Sequence, residues 1–491
     1  MEPDSESQLT ALPRSTAKSG VTLRTALLAA LPLSAGLALR LFALKNLFQV
    51  NGDSLIYGGL ARNILLLGRY ALNGAGGDIY PTLIRLPGYP LFLALCFRLF
   101  GMENYFAAPC VQIVLELLGC LLLADFARRI APPALKSGAA LATLWLAALC
   151  PFTASYTVVP LSETPTLFVI ALALWSMACF WERPRWASAL CFTFALSYAA
   201  LLRPDGALIG MALAPALVLG LCRGTRTAAI PRQKLIRIAV VCLLLALAPF
   251  AAWTGRNWHV FHVFQPLAPR LATDPGEDTN PGWERWVKSW CLDFVSTYDV
   301  YWPVPGDQLD ITKLPNRAFD SPAQYAETAA LASDYNNHGL ELTPEIDARF
   351  EKLAAERIAA HPLRSYVWLP LGRLADMCLR PRVENLPIDL DWWVYEHHRD
   401  ETRFSWAWAA LNALYLLLGL AGLCLRPRFW LAMLVYIVLR CALLLTVEAP
   451  EARYTLEFFP MLFPLAGIAL YRVTNTVFLS VLKVKASAGK A

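Results

Sequence analysis

Long apolar segments recur along almost the whole chain, and they constrain its fold more than any other feature. Each is about 17 residues or longer, the length that a helix needs to cross the apolar part of a membrane. Hydrophobic residues accordingly make up 57% of the 491 residues. The sequence therefore predicts an all-α polytopic membrane protein with about ten transmembrane helices and additional interfacial helices. The predicted spans are residues 22–44, 106–127, 138–157, 163–181, 187–203, 206–222, 235–254, 404–425, 429–447 and 456–476.

One shorter apolar segment, residues 87–100, decides which loops share a side of the membrane. It is interrupted by Arg98 and is too short to span comfortably. If it does not span, the short basic loops at 128–136, 182–185 and 426–428 all lie on one side. The positive-inside rule assigns that side to the cytoplasm. We therefore expect both termini in the cytoplasm.

This topology divides the chain into three parts. Residues 1–254 form an N-terminal transmembrane module, whose first outer loop covers residues 45–105. Residues 255–403 form an extracytoplasmic domain of mainly α or α/β structure, and residues 404–491 carry the C-terminal transmembrane helices. Polar motifs from distant parts of the chain then face the same outer side.

The extracytoplasmic domain has a clear helix start in its second half. Thr343 suits the N-cap, and Pro344 suits the first helical position. The pattern predicts a helix to about Ala360, where His361-Pro362 stops it.

The first outer loop contains Asp53, which follows the first apolar segment directly. Gly52 permits a sharp turn before it, and residues 54–64 have the pattern of a short amphipathic helix. Asp53 is therefore either the N-cap of that helix or a functional carboxylate.

Other ionisable residues fall at outer helix ends. Glu163 is either a partner in a helix cap or an active-site group. Arg203 belongs to a tight turn, Arg203-Pro204-Asp205-Gly206, that is more often structural. Arg256 and Arg453 suit a clamp on an anionic headgroup, because a guanidinium binds phosphate through two hydrogen bonds.

Two further ionisable residues, Glu116 and Arg440, lie well inside predicted spans. Such groups are costly in a membrane and are usually paired or functional.

Several classes of protein are disfavoured by what the sequence lacks. The first 20 residues have no apolar stretch typical of a signal peptide. No Walker loop or GxGxxG motif indicates nucleotide chemistry, and the twelve cysteines form no CxxC pair. His397 and His398 with Asp391 and Glu396 do not have the spacing of a recognised metal site, so we expect no required cofactor and do not favour a divalent metal. The aromatic residues of the extracytoplasmic domain fit either sugar stacking or an interfacial belt.

Taken together, four features resemble the GT-C superfamily of membrane glycosyltransferases. They are Asp53 after the first span, Arg85-Leu86-Pro87 before a short apolar helix, Glu163 after the next outward hairpin, and the late Arg453-Tyr454 pair. Within the superfamily, the chain looks most similar to lipid A aminoarabinose transferases and protein O-mannosyltransferases, glycosyltransferase families 39 and 83.

The resemblance implies an inverting glycosyltransferase that uses a polyprenyl-phosphate-linked sugar on the outer face of the membrane. Asp53 would be the catalytic base, and Glu163, where relatives often have Asp, a second acidic catalytic residue. Arg85, where relatives often have Lys, would hold the donor phosphate. The remaining donor or substrate residues would be Tyr57, Arg203, Arg256, Arg453 and Tyr454.

The expected partners are the lipid-linked donor, a protein, lipid A or glycan acceptor, and the bilayer, with no nucleic acid. The expected location is the bacterial inner membrane, with the active site on the periplasmic face. The alternative is a transporter or flippase of a lipid-linked saccharide, in which Glu116 and Arg440 would act at mid-membrane.

Overall fold

The computed structural model describes residues 23–50, 52–74, 76–224 and 231–488. Residues 1–20, for which no signal peptide is predicted, lie outside the described part, and so does Asn51. The described chain is mostly helical, and its only strands form one short hairpin in the first outer loop. The predicted all-α class is therefore confirmed.

The N-terminal part consists of ten helices and the hairpin. Their bounds are α1 Leu23–Leu47, α2 Asp53–Leu67, β1 Ala71–Asn73, β2 Ile79–Pro81, α3 Gly88–Phe100, α4 Ala107–Ile130, α5 Lys136–Ala148, α6 Pro151–Thr157, α7 Glu163–Glu182, α8 Trp186–Leu202, α9 Ala207–Gly224 and α10 Arg232–Phe261.

The remaining helices belong to the region after residue 280. They are α11 Pro281–Lys288, α12 Phe294–Ser296, α13 Pro322–Asn337, α14 Pro344–Ala360, α15 Leu369–Leu379, α16 Arg399–Cys424, α17 Trp430–Leu444 and α18 Phe459–Ala488.

Every predicted span coincides with a helix or with a pair of helices. Among the described residues, six helical segments are long and apolar enough to cross a membrane, and the α5–α6 pair, bent by 50°, makes a seventh. The apolar helices α8, α9 and α17 are shorter, and so is α3, which was predicted not to span. The number of about ten spans therefore stays a prediction.

Helix α18 lies at the centre of the bundle, where it packs against α5 and α16. The approach to α16 depends on Gly422, because a Cβ atom there would lie only 2.0 Å from the carbonyl oxygen of Leu465. Only glycine allows two backbones to come so close. The buried face of α18 is almost entirely apolar, as expected for a helix surrounded by others.

Charged loops gather at the end of the bundle opposite the first outer loop. Arg129 at the end of α4 forms an ion pair with Glu182 at the end of α7. The Arg428 guanidinium lies 5.3 Å from the ring centre of Trp181, and its backbone N–H donates to Ile130. Three of the basic loops that were predicted to be cytoplasmic thus lie side by side.

The region between α10 and α16 has its own apolar core. Three tryptophans form its centre, and each is at most 2% exposed: Trp283 and Trp286 in α11, and Trp290 in the turn after it. The ring centre of Phe350 in α14 lies 5.0 Å from the ring centres of Trp283 and Trp286. Burying aromatic surface of this extent stabilises a fold by several kcal/mol, at about 25 cal/mol per Å². The predicted start of α14 is confirmed, since the Thr343 side chain accepts a hydrogen bond from the Ile346 N–H.

Candidate active site

Asp53 is the first residue of α2, and its carboxylate faces two arginines. The N-cap residue is Gly52, with a φ of 45°, and it makes no side-chain hydrogen bond to the helix. The interpretation of Asp53 as an N-cap is therefore wrong. One carboxylate oxygen accepts a hydrogen bond from Arg85 at 2.7 Å, and the other accepts one from Arg453 at 3.2 Å.

Arg85 is positioned by the hairpin loop that precedes α3. The Tyr70 hydroxyl donates to the backbone oxygen of Arg85 at 3.0 Å, so the backbone is held next to the base of the hairpin. Pro87 then begins the turn into α3, and its carbonyl accepts the first hydrogen bond of that helix. One guanidinium nitrogen of Arg85 donates to the backbone oxygen of Ile84 at 3.3 Å, and the other donates to Asp53.

Arg453 reaches Asp53 from the far end of the sequence. It lies in the short 3-10 helix Ala452–Phe458, which leads into α18. Its guanidinium also forms an ion pair with Glu451 and lies 3.9 Å from Glu163. Tyr454 donates its hydroxyl hydrogen to Glu451 and presents its ring to Arg453, 5.6 Å away.

A second ion-pair network lies below Arg453. Arg203 contacts Glu163 at 3.2 Å, Asp205 at 3.3 Å and Glu457 at 3.2 Å. Arg440 of α17 pairs with the same Asp205, at 3.0 Å, and with Glu457. Two arginines and three carboxylates thus form one continuous buried network.

The charge balance around Asp53 keeps it ionised. Burial by itself raises the pKa of this carboxyl, but the charges of Arg453 and Arg85 and their hydrogen bonds outweigh burial. The net effect lowers the pKa of Asp53 below its usual range. For Arg85, burial lowers the pKa of the guanidinium, but the charge and hydrogen bond of Asp53 together with Tyr57 outweigh burial, and the net effect raises the pKa.

A cavity of about 600 Å³ opens beside this cluster, and we call it the first cavity. Most of the predicted site residues line it, and its wall toward α9 and α17 is apolar, with Leu208, Leu443 and Leu444. The predicted site residues in its lining are Asp53, Tyr57, Arg85, Glu163, Arg203, Arg453 and Tyr454.

A second cavity, of about 670 Å³, meets the first at Asp53. Both cavities share Asp53, Arg85, Leu161, Glu451 and Arg453. The second extends instead toward the region between α11 and α16, where aromatic residues and Glu384 form its wall. A group bound in the first cavity and a group bound in the second can therefore approach the Asp53 carboxylate from different sides.

Arg256 is the one predicted site residue that lines neither cavity. Its guanidinium donates to the carbonyl oxygens of Thr82 at 2.8 Å and Tyr70 at 2.7 Å, and the rings of Tyr70, Trp253 and Phe261 surround it. Arg256 therefore attaches the hairpin to α10, and its role in donor binding stays a prediction.

Sequence reasoning missed the contributions of Glu457 and Asp205. Asp205 was interpreted with Arg203 as part of a turn, and it does lie in the 3-10 turn Pro204–Gly206, but it also reaches Arg440. A signal for Glu457 was present, because it is a carboxylate within the apolar segment 456–476. Glu457 is only the second residue of that segment, so the criterion that singled out Glu116 and Arg440, a position well inside a span, did not select it.

Glu116 and Arg440 do not meet each other. Glu116 pairs with Arg40 at 2.6 Å and accepts a hydrogen bond from Thr157. Arg40 is fully buried and also donates to the carbonyl oxygen of Ala148 at 2.6 Å. Both intramembrane charges thus have partners within the bundle.

One group of side chains has the composition of a cation site. Ligand atoms of Asp389, Asp391 and His398, before the start of α16, lie within 4.8 Å of one another. The two aspartates are exposed, and none of the three lines either cavity. Of the four residues weighed from the sequence, Asp391 and His398 belong to this group.

Solved structures of two membrane transferases resemble the whole chain. The first is the oligosaccharyltransferase of Archaeoglobus fulgidus, at 12% identity and a TM-score of 0.47, with 94% of this chain and 51% of that chain covered. The second is ArnT from Cupriavidus metallidurans bound to undecaprenyl phosphate, at 16% identity and a TM-score of 0.39, covering 90% and 77%. The chain thus spans about half the length of the archaeal protein. Resemblances this weak assign no function.

No curated protein matches the chain. A protein-family model, however, does match part of it. Residues 84–253 match the model of a family described as dolichyl-phosphate-mannose-protein mannosyltransferase. That segment contains Arg85, Glu163 and Arg203, and it forms one side of the first cavity. The resemblance to the GT-C superfamily of membrane glycosyltransferases is thereby confirmed.

Proposed function

We propose that the protein is an inverting glycosyltransferase that moves a sugar from a polyprenyl phosphate to an extracytoplasmic acceptor, which is a protein, lipid A or a glycan. The observation that carries this proposal is the position of Asp53 at the junction of two cavities, between Arg85 and Arg453. A transferase that brings two substrates together needs a base at such a junction.

The donor fits the first cavity. Its lining combines guanidinium groups, which suit a phosphate, with leucines of α9 and α17, which suit a polyprenyl chain. Of these cations, Arg85 and Arg453 lie nearest to Asp53, and Arg203 lies deeper. The arginines supply the charge stabilisation that a departing phosphate needs, so the proposed reaction requires no metal.

Arriving phosphate would compete with Asp53 for the same two arginines. Both arginines bind carboxylate oxygens in the free protein, and a phosphodiester offers them equivalent acceptors. Each contact transferred to the phosphate removes a cation from Asp53, which raises the pKa of its carboxyl. Donor binding would therefore convert a weak base into a stronger one at the moment when it is needed.

The chemical step then proceeds by direct displacement. Asp53 accepts the proton of the acceptor hydroxyl, and the oxygen attacks the anomeric carbon of the donor sugar. The bond between that carbon and the phosphate oxygen breaks, and polyprenyl phosphate leaves with the electron pair. Because attack and departure occur on opposite faces of the carbon, its configuration inverts.

Glu163 takes a positioning role in this scheme. It is 2% exposed, so it has little room to contact an acceptor directly. Its carboxylate instead holds Arg203 at 3.2 Å and lies 3.9 Å from Arg453. We therefore propose that Glu163 orients the arginines that bind phosphate, whereas the resemblance implies a second acidic catalytic residue.

The alternative, a transporter of a lipid-linked saccharide, rested on Glu116 and Arg440. Both residues have ion-pair partners inside the bundle, with Arg40 on one side and with Asp205 and Glu457 on the other. Structural pairing explains why such charges are retained in apolar helices. No specific observation then favours transport.

The cavities lie at the end of the bundle opposite the basic loops. The positive-inside rule assigns those loops to the cytoplasm. This arrangement supports our proposal that the cavities face the periplasm of a bacterial inner membrane.

The test of the proposed function is release of polyprenyl phosphate. Purified protein in nanodiscs would be given a panel of polyprenyl-phosphate sugars, with membrane extract as the source of acceptor. We expect release from one donor of the panel, dependent on the extract. Failure to bind any donor of the panel would overturn the proposal, and donor translocation without release would establish the transporter.

If the arginines leave the Asp53 carboxylate for the donor phosphate, the pH dependence of the reaction should differ between the free enzyme and the donor complex. In the free protein the pKa of Asp53 is lowered, so the carboxylate stays ionised to unusually low pH. With donor bound, the pKa rises and protonation occurs at higher pH. The acid limb of kcat, which reports the substrate complex, should therefore lie at higher pH than the acid limb of kcat/KM, which reports the free enzyme. If the acid limbs of kcat and kcat/KM coincided, the proposed move of the arginines from Asp53 to the phosphate would be contradicted.

A further inference from the structure

The wall of the second cavity carries a cluster of aromatic rings. Phe294, Tyr298 and Trp302 follow one another at four-residue intervals, from α12 into the next turn. Their ring centres are between 5.5 and 6.3 Å apart. Phe294 is 5% exposed and supports the cluster, whereas Tyr298 is 48% exposed and Trp302 is 46% exposed. Two aromatic surfaces are thus accessible in the cavity wall.

The same cavity is lined by polar atoms that lack hydrogen bonds. Glu384 has a side chain only 7% exposed, and neither of its oxygens accepts a hydrogen bond from the described residues. Its nearest cation is Arg380, whose Nε lies 3.4 Å away, and the charge of Arg382 also acts on it. The side-chain nitrogen of Asn385 is also buried without a hydrogen-bond acceptor. Buried polar atoms are normally paired, so this arrangement is suited to a ligand that supplies both donors and acceptors.

We propose that the second cavity is a saccharide-binding subsite that holds the acceptor, an inference that rests on the proposed transferase function. Tyr298 and Trp302 would stack on the apolar face of a sugar ring, while Glu384 and Asn385 would bind its hydroxyl groups. A sugar is suited to this wall because each hydroxyl both donates and accepts hydrogen bonds. Of the acceptor classes left open by the sequence, the wall therefore favours a glycan.

The charges of the second cavity narrow the choice of sugar. Asp53, Glu384 and Glu451 line it, against the guanidinium groups of Arg85 and Arg453. Both of these arginines already have carboxylate partners. In the proposed reaction the donor phosphate takes both arginines, so an anionic acceptor sugar would meet the three carboxylates without these cations, and the subsite is suited to a neutral or amino sugar.

Saccharide binding can be measured without turnover. Full-length protein in nanodiscs, with no donor present, would be mixed with neutral, amino and acidic disaccharides, and saturation-transfer NMR would report contact. We expect a neutral or amino disaccharide to bind. Affinity should fall roughly five- to tenfold in Trp302→Ala and be largely retained in Trp302→Phe, as expected when a stacking ring is lost or kept. Trp368→Ala is the matched control, because Trp368 is 66% exposed and lines neither cavity.

Two outcomes would overturn the subsite. One is the absence of saturation transfer to every saccharide, and the other is equal binding by Trp302→Ala and the Trp368→Ala control. The proposal would also be refuted if a peptide containing serine and threonine displaced the saccharide, bound more tightly and required Trp302 for its binding. The cavity would then be assigned to a protein acceptor. Because saccharide binding is measured with no donor and no turnover, failure of the transferase reaction and failure of the subsite are distinguishable.

Discussion

Replacing Asp53 with asparagine is expected to reduce sugar transfer by about 10²- to 10⁴-fold, the usual contribution of a positioned general base. Asparagine has nearly the same shape as aspartate but cannot take the acceptor proton. The substitution also removes the anion that holds Arg85 and Arg453 in the free protein. Donor affinity should therefore be unchanged or higher, while release of polyprenyl phosphate in the presence of acceptor falls.

The matched control is Asp78→Asn, in the same outer loop. Asp78 is exposed and lines neither cavity. The Asp78→Asn variant should transfer sugar at close to the wild-type rate. Equal transfer by Asp53→Asn and Asp78→Asn would remove Asp53 as the base. A loss of donor binding in Asp53→Asn would show instead that the carboxylate organises the arginines.

Much of the site could be predicted because its residues lie at the ends of apolar segments. Asp53, Glu163, Arg203 and Arg453 are far apart in the sequence, but alternating spans return each of them to one side of the bundle. Charge asymmetry between the loops was enough to find that side. Their convergence is therefore a consequence of topology, and local sequence patterns were sufficient to anticipate it.

The exact partners of each ion could not be predicted in the same way. Arg256 and Arg453 both lie at outer helix ends, yet Arg256 binds two backbone carbonyls of the hairpin and Arg453 binds Asp53. The difference depends on a loop conformation that no periodic pattern encodes. The pairing of Glu116 with Arg40 likewise depends on which helices pack together.

The buried network below the site makes the largest prediction for stability. Arg440 is completely buried, and it pairs with Asp205 and Glu457. Arg440→Leu removes the cation and leaves two carboxylates that share only Arg203. Breaking a buried ion pair from one side typically costs about 3–5 kcal/mol, because an uncompensated charge stays buried. We expect a loss of stability of this size in denaturant unfolding in mixed micelles.

The double variant Arg440→Leu/Glu457→Leu separates the charge effect from the loss of packing. It removes one carboxylate together with its cation, so Arg203 is left to balance Asp205 and Glu163. It should be more stable than Arg440→Leu alone, which is the signature of a coupled pair. Arg285→Ala, which breaks the exposed pair with Glu351, should change stability by no more than about 1 kcal/mol. If Arg440→Leu were as mild as Arg285→Ala, the network would not stabilise the bundle.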